Sequence, residues 1–210
     1  MKIKKHLKKV KGILFTVSGP SGAGKTTLYK AVISMLPNLK HSVSYTTRPP
    51  RPGEVDNRDY TFVSRDEFMA MIDKGEFVEW AEIHGKLYGT SRKRLDEIVN
   101  SGVDAILDIN IQGALQLREK YKGGIYIFIL PPSLEVLKER LRKRLVNSKE
   151  EIEKRLKVAV EEIKKYQEYD YVIVNNIFED AVKELEAIIL SHRVSTKRVD
   201  ARWIERNFLT

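Results

Sequence analysis

Residues 12–27 read Gly-Ile-Leu-Phe-Thr-Val-Ser-Gly-Pro-Ser-Gly-Ala-Gly-Lys-Thr-Thr, and this stretch decides the fold. Its first seven residues form a short apolar run rich in β-formers, which predicts a buried strand. A glycine-rich turn follows, and a helical pattern runs from about Lys25 to Leu36 before Pro37. The turn matches G-x-x-x-x-G-K-[ST], with a strand before it and a helix opening inside it. Glycines let the backbone point N–H groups inward and approach a phosphate closely. The helix N-terminus adds positive potential. Lys25 offers a compact charge for β- and γ-phosphates, and the Thr26 hydroxyl can ligate Mg²⁺. The expected nucleotide site runs from Gly19 through Pro20, Ser21, Gly22, Ala23, Gly24, Lys25 and Thr26 to Thr27. The loop implies a nucleoside triphosphate and Mg²⁺, and leaves the phosphoryl acceptor open.

Outward from the loop, His41–Tyr45 reads as a second strand and residues 46–58, with three prolines, as a loop. Tyr60–Val63 is a short strand. Ser64 caps a helix from Arg65, with Glu67 completing a capping box. Glu76–Ile83 and Lys86–Gly89 form a hairpin at His84-Gly85, and Ser91 caps a helix to about Asn100. Val103–Ile109, Ile125–Leu130 and Tyr171–Val174 are further strands. Helices are expected from about Gln112, after Ser133, from near Ser148 and from about Glu179 past Leu190. Strands alternating with helices predict an α/β fold with a parallel sheet covered on both faces. Residues 46–90 form a small mixed insert.

The net charge of +9 sits in the ends. Residues 1–11 carry six lysines and no acid, residues 191–210 carry an excess of three, and residues 12–190 are neutral. These ends read as solvated tails rather than as a nucleic-acid surface. No apolar stretch approaches the roughly 18–20 residues that cross a bilayer. The chain has no cysteine, which suits a cytoplasmic location. The four histidines are scattered without metal-ligand spacing.

Tyr45-Thr-Thr-Arg48-Pro-Pro-Arg51-Pro-Gly-Glu54 places two guanidinium groups on a proline-stiffened loop, a geometry that suits phosphate oxygens. With SGPSGAGK at 18–25, TTRPPRPGE at 46–54, EFVEWAEIHGKLYGT at 76–90, LDINIQGA at 107–114 and IFILPPS at 127–133, the chain resembles the guanylate kinase family from Gly12 to about Leu190. The resemblance implies a P-loop NTPase-type parallel sheet flanked by helices, a GMP-binding lobe at about 46–90 and a helical lid at about 140–156. It implies direct in-line transfer from ATP to GMP with Mg²⁺, in purine nucleotide metabolism and GMP recycling. Ser44, Arg48, Arg51 and Tyr60 would hold the GMP phosphate, with Tyr88 beside them. Glu79 would accept from guanine N1 and N2, and Thr90 would donate to O6; adenine presents the reverse pattern. Asp108 would lie near Mg²⁺ and the acceptor, in direct contact or through water. Asn110 stands where the family commonly has a second acid that contacts guanine, and its amide oxygen can still accept. Arg140, Arg144 and Arg155 match lid arginines that supply charge to the transition state, beside Lys25 and Arg48. Asn175 matches a position near the adenine.

Two other readings of the scaffold exist. A non-catalytic binding module would be expected to lose the phosphate loop, yet Gly24, Lys25 and Thr26 are intact. A kinase for another acceptor, such as a sugar phosphate, would not need Glu79 paired with Thr90. The segment 191–210 extends beyond the resemblance and could pack on the body or mediate self-association.

Overall fold

The structure, a computed structural model, describes residues 11–83, 85–144 and 149–209, with side chains for all of these except residues 144 and 149. Residues 1–10 of the basic tail, His84 of the hairpin turn, the Ser148 cap and the Arg144 side chain therefore lie outside the described residues.

Among the described residues the main sheet has five parallel strands. In chain order they are β1 (Leu14–Ser18), β2 (Leu39–His41), β7 (Asp104–Asp108), β8 (Ile125–Leu130) and β9 (Tyr171–Val174). The smaller sheet holds β3 (Tyr45–Thr46), β4 (Thr61–Phe62), β5 (Phe77–Ile83) and β6 (Lys86–Ser91). The spatial order is β2-β7-β1-β8-β9 in the first and β4-β3-β6-β5 in the second. Every residue of β1 is buried, as a central parallel strand requires.

Helices α1 (Lys25–Met35) and α7 (Phe178–Arg193) cover one face of the main sheet. Their core includes Phe15, Val17, Leu28, Val32, Ile106, Ile127, Ile173 and Leu185. Helices α3 (Arg92–Asn100) and α4 (Ile111–Lys120) cover the other, over Leu14, Ala105, Leu107 and Tyr126. The smaller sheet has its own core of Phe68, Phe77 and Leu87 beneath α2 (Arg65–Asp73). Two further helices, α5 (Leu134–Arg144) and α6 (Lys149–Ile163), pack through Leu137, Leu141 and Ala159.

Local chemistry explains the boundaries. Ser64 Oγ accepts from the Glu67 N–H at 3.2 Å, and Glu67 Oε2 accepts from the Ser64 N–H at 2.8 Å, completing the capping box of α2. Ser91 caps α3 by accepting from the Arg94 N–H. Two expectations need correction. His41–Tyr45 is not one strand: β2 ends at His41, and β3 begins at Tyr45 in the other sheet. The residues between carry the chain from one sheet to the next while Ser42 N still donates to Ile106 O. The loop expected from residue 46 begins later, because Thr46 pairs with Tyr88.

The C-terminal end of α7 is tied to the sheet. The Asp104 carboxylate, 3% exposed, accepts from the Ile13 N–H and from Arg193 Nε, both at 2.7 Å. Beyond Arg193 a short helix, α8 (Ala201–Ile204), passes into a wider π turn, Glu205–Leu209. No helix among the described residues is long and apolar enough to cross a membrane.

Candidate active site

The glycine-rich loop leaves β1 and enters α1 through Gly24, whose φ of +90° is left-handed and suits glycine. Lys25 Nζ donates to the carbonyls of Gly19 at 2.8 Å and Pro20 at 3.2 Å, so its ammonium lies across the loop. The Thr26 hydroxyl donates to Asp108 Oδ2 at 2.9 Å, at the carboxyl end of β7. Ligands of open α/β sheets bind at that edge. A hydroxyl and a carboxylate this close are a hard-oxygen pair. They suit Mg²⁺, which takes one or two protein oxygens and keeps much of its water.

The second half of the site lies on the smaller sheet. Arg48 lies over the Tyr60 ring, 5.3 Å from its centroid, and donates to Glu54 Oε1 at 2.8 Å. Glu54 Oε2 accepts from the Arg51 backbone N–H at 2.7 Å. One carboxylate thus holds the Arg48 side chain and the Arg51 backbone of the proline loop, and these contacts outweigh burial to hold Glu54 below the usual carboxylate range. The sequence motif contained Glu54, but only the fold gives it this task. Tyr88 packs edge-on against Tyr60 with centroids 6.0 Å apart. Ser44 is buried, and its hydroxyl has no partner among the described residues, an unmet hydrogen-bonding capacity of the kind that folded proteins rarely leave. The charge of Asp108 raises the Tyr60 phenol, after the larger effect of burial, which links the two halves electrostatically.

Glu79 and Thr90 are cross-strand partners in the β5–β6 hairpin. Both are buried, and the Thr90 hydroxyl donates to Glu79 Oε1 at 2.5 Å. Burial pushes the Glu79 carboxyl up to about 7, although hydrogen bonds from Thr90 oppose the rise. The other oxygen, Oε2, lies against Gly113 of α4, where an added Cβ would come within 2.2 Å of it. Gly113 was inside the quoted motif, but its role is steric and invisible in a linear reading. Asn110 Oδ1 accepts from the Gly113 N–H at 2.8 Å and so caps α4.

Two of the expected lid arginines, Arg140 and Arg155, have side chains among the described residues. Arg155 pairs with Glu151 on its own helix at 3.1 Å. Arg140 donates to Asn175 O at 3.0 Å and to Ala23 O at 3.4 Å. Asn175, 6% exposed, gives its side-chain N–H to Ala23 O at 2.8 Å.

Comparison with known proteins identifies the family. A family model described as guanylate kinase matches residues 11–192. The guanylate kinase of Geobacter metallireducens is 55% identical over 191 residues, covering 91% of this chain and 94% of that protein. That of Thermotoga maritima is 44% identical, covering 90% and 91%. The crystal structure of guanylate kinase from Anaplasma phagocytophilum superposes with a TM-score of 0.78 at 35% identity, covering 98% of this chain and all of that one. With the phosphate loop, the arginine loop and the buried carboxylate–hydroxyl pair in place on this fold, the chain belongs to the guanylate kinase family.

Proposed function

We propose that this protein transfers the γ-phosphoryl group of ATP to the phosphate of GMP, giving ADP and GDP, in cytoplasmic purine nucleotide metabolism. The observation that carries the acceptor assignment is the buried pair of Glu79 and Thr90. A carboxylate beside a hydroxyl matches the adjacent N–H donors and carbonyl of guanine, and mismatches adenine.

The roles follow from charge and position. Loop N–H groups and Lys25 hold the donor phosphates. Thr26 and Asp108 would hold Mg²⁺, which neutralises phosphate oxygens when bound. Ser44, Arg48, Arg51, Tyr60 and Tyr88 hold the GMP phosphate, with Glu54 orienting the arginine loop. The attacking atom is a phosphate oxygen of GMP, so no side-chain nucleophile is needed. Transfer has a loose transition state, and its stabilisation comes from positioning and nearby cations. Arg144 and Arg155 add charge when the far end of α5 and the facing end of α6 close as a lid, and closure excludes water that would hydrolyse ATP.

The test is ADP release from ATP and Mg²⁺ with GMP, AMP, CMP and UMP offered separately. Release with GMP alone is the expected result. Equal release with another acceptor, or none with any, would refute the assignment.

The close approach at Gly113 gives a second expectation. In Gly113→Ala the new methyl displaces the Glu79 carboxylate, because its Cβ would sit 2.2 Å from Glu79 Oε2 and 3.0 Å from Cδ. Steady-state kinetics should show kcat/KM for GMP falling about tenfold or more, with KM for ATP unchanged; one or two kcal/mol of lost orientation suffices. Alanine favours helix over glycine by roughly 1 kcal/mol. An unchanged GMP profile would mean that Gly113 does not set the Glu79 geometry.

A further inference from the structure

The peptide joining Ala23 to Gly24 lies in the phosphate loop, and its carbonyl is the target of two long-range donors. Asn175, at the end of β9, gives its side-chain N–H to Ala23 O at 2.8 Å across 152 residues of sequence. Arg140, on α5, reaches the same oxygen at 3.4 Å and ties down the Asn175 carbonyl at 3.0 Å. Ala23 is fully buried, and Asn175 nearly so. The fit around Gly24 is tight as well: an added Cβ would sit 2.3 Å from Asn175 Nδ2.

A trans peptide is planar, so its C=O and N–H point in opposite directions. Anchoring the Ala23 carbonyl on Asn175 and Arg140, at the back of the loop, turns the Gly24 N–H towards the front, where loop N–H groups meet a phosphate. Without the anchor, the left-handed Gly24 (φ +90°) is free to rotate this peptide. We propose that Asn175 and Arg140 are positioning residues that hold the Ala23–Gly24 peptide in its phosphate-binding orientation. Asn175 then acts on the triphosphate through the loop rather than on the base. The inference rests on the reading of this loop as a triphosphate site.

A base contact and a loop brace differ in one readout. Calorimetry on the full chain should compare ATP with inorganic tripolyphosphate, which has no base, for wild type, Asn175→Ala and Asn175→Asp. If the brace is correct, both ligands weaken by the same factor, about tenfold or more, and the ratio of the two affinities stays at its wild-type value. Loss of ATP affinity with tripolyphosphate binding intact would assign Asn175 to the base and overturn the inference, as would no change in either. Partial unfolding lowers the calorimetric stoichiometry and not the affinity of the folded fraction, so a destabilised variant still gives an answer. Arg140→Met combined with Asn175→Ala should be non-additive for tripolyphosphate, because both side chains act on one peptide; additivity within about twofold counts against a shared target. If the wild type binds neither ligand, the reading of the loop itself fails.

Discussion

Glu79→Gln lowers kcat/KM for GMP by about 10²- to 10³-fold and leaves the ATP site intact. The side chain keeps its shape, but one acceptor oxygen becomes an N–H₂ donor facing the donors of guanine. Hydrogen bonds to a charged group contribute about 1.5–3 kcal/mol each, and a buried donor left facing a donor adds to the loss. Retained GMP activity within about threefold would remove Glu79 from the base site. The reaction should also depend on pH. In the free protein burial raises this carboxyl from 4.5 to about 7, whereas guanine prefers the ionised form. GMP affinity should therefore rise from pH 6 to pH 8, with proton release on binding near pH 7. The free protein behaves oppositely. Its folded state holds this proton more tightly than the unfolded chain does, so the Glu79 contribution to stability is present below about 4.5 and is lost as pH rises through about 7. Melting curves of wild type and Glu79→Gln should diverge over that window, with the variant melting higher at pH 8. A parallel pH response in the variant would show that another group is responsible.

Lys25→Ala should remove at least about 10²–10³-fold from kcat while the protein stays folded. The ammonium lies on the Gly19 and Pro20 carbonyls, so its position is set before any phosphate arrives. Removing one preorganised charge-stabilising donor from a transition state costs about 2.7–4 kcal/mol. The fold itself gives up these two hydrogen bonds and the attraction between Lys25 and Glu162, and water can take the place of the ammonium at both carbonyls, so melting should shift little. Activity within tenfold of wild type would exclude Lys25 from the chemistry.

Local signals were legible where one stretch of chain holds all of its determinants. The strand–glycine loop–helix unit, the Ser64 cap of α2 and β8 (Ile125–Leu130) each depend on residues a few positions apart. Long-range partners were not legible. Nothing at His41–Tyr45 says that the chain changes sheets there, because sheet membership is decided by Ile106 on one side and Tyr88 and Thr61 on the other. The partnership of Asp104 with Arg193 spans 89 residues, and that of Asn175 with Ala23 spans 152. Gly113 and Glu54 stood inside recognisable motifs, but their tasks depend on which side chain folds against them. The lid shows the same limit from the other direction. The resemblance named the lid arginines on two successive helices, and the direction of two of them was set by partners elsewhere: Glu151 for Arg155, the loop for Arg140.

The order β2-β7-β1-β8-β9 puts the first strand made in the middle of the main sheet. Leu14 pairs with Ala105 on one side and Phe15 with Ile125 on the other. On the ribosome, at roughly 5–20 residues per second, β1 waits about 5–20 s for its first neighbour in the sheet. For that interval the phosphate loop has no supporting floor, and an apolar strand is left without partners. The smaller sheet, with all its strands within residues 45–91, is complete before β7 is made. During synthesis, then, the acceptor half of the site is the first with all of its strands in hand, and the donor half takes shape last, when β9 brings Asn175 to the loop.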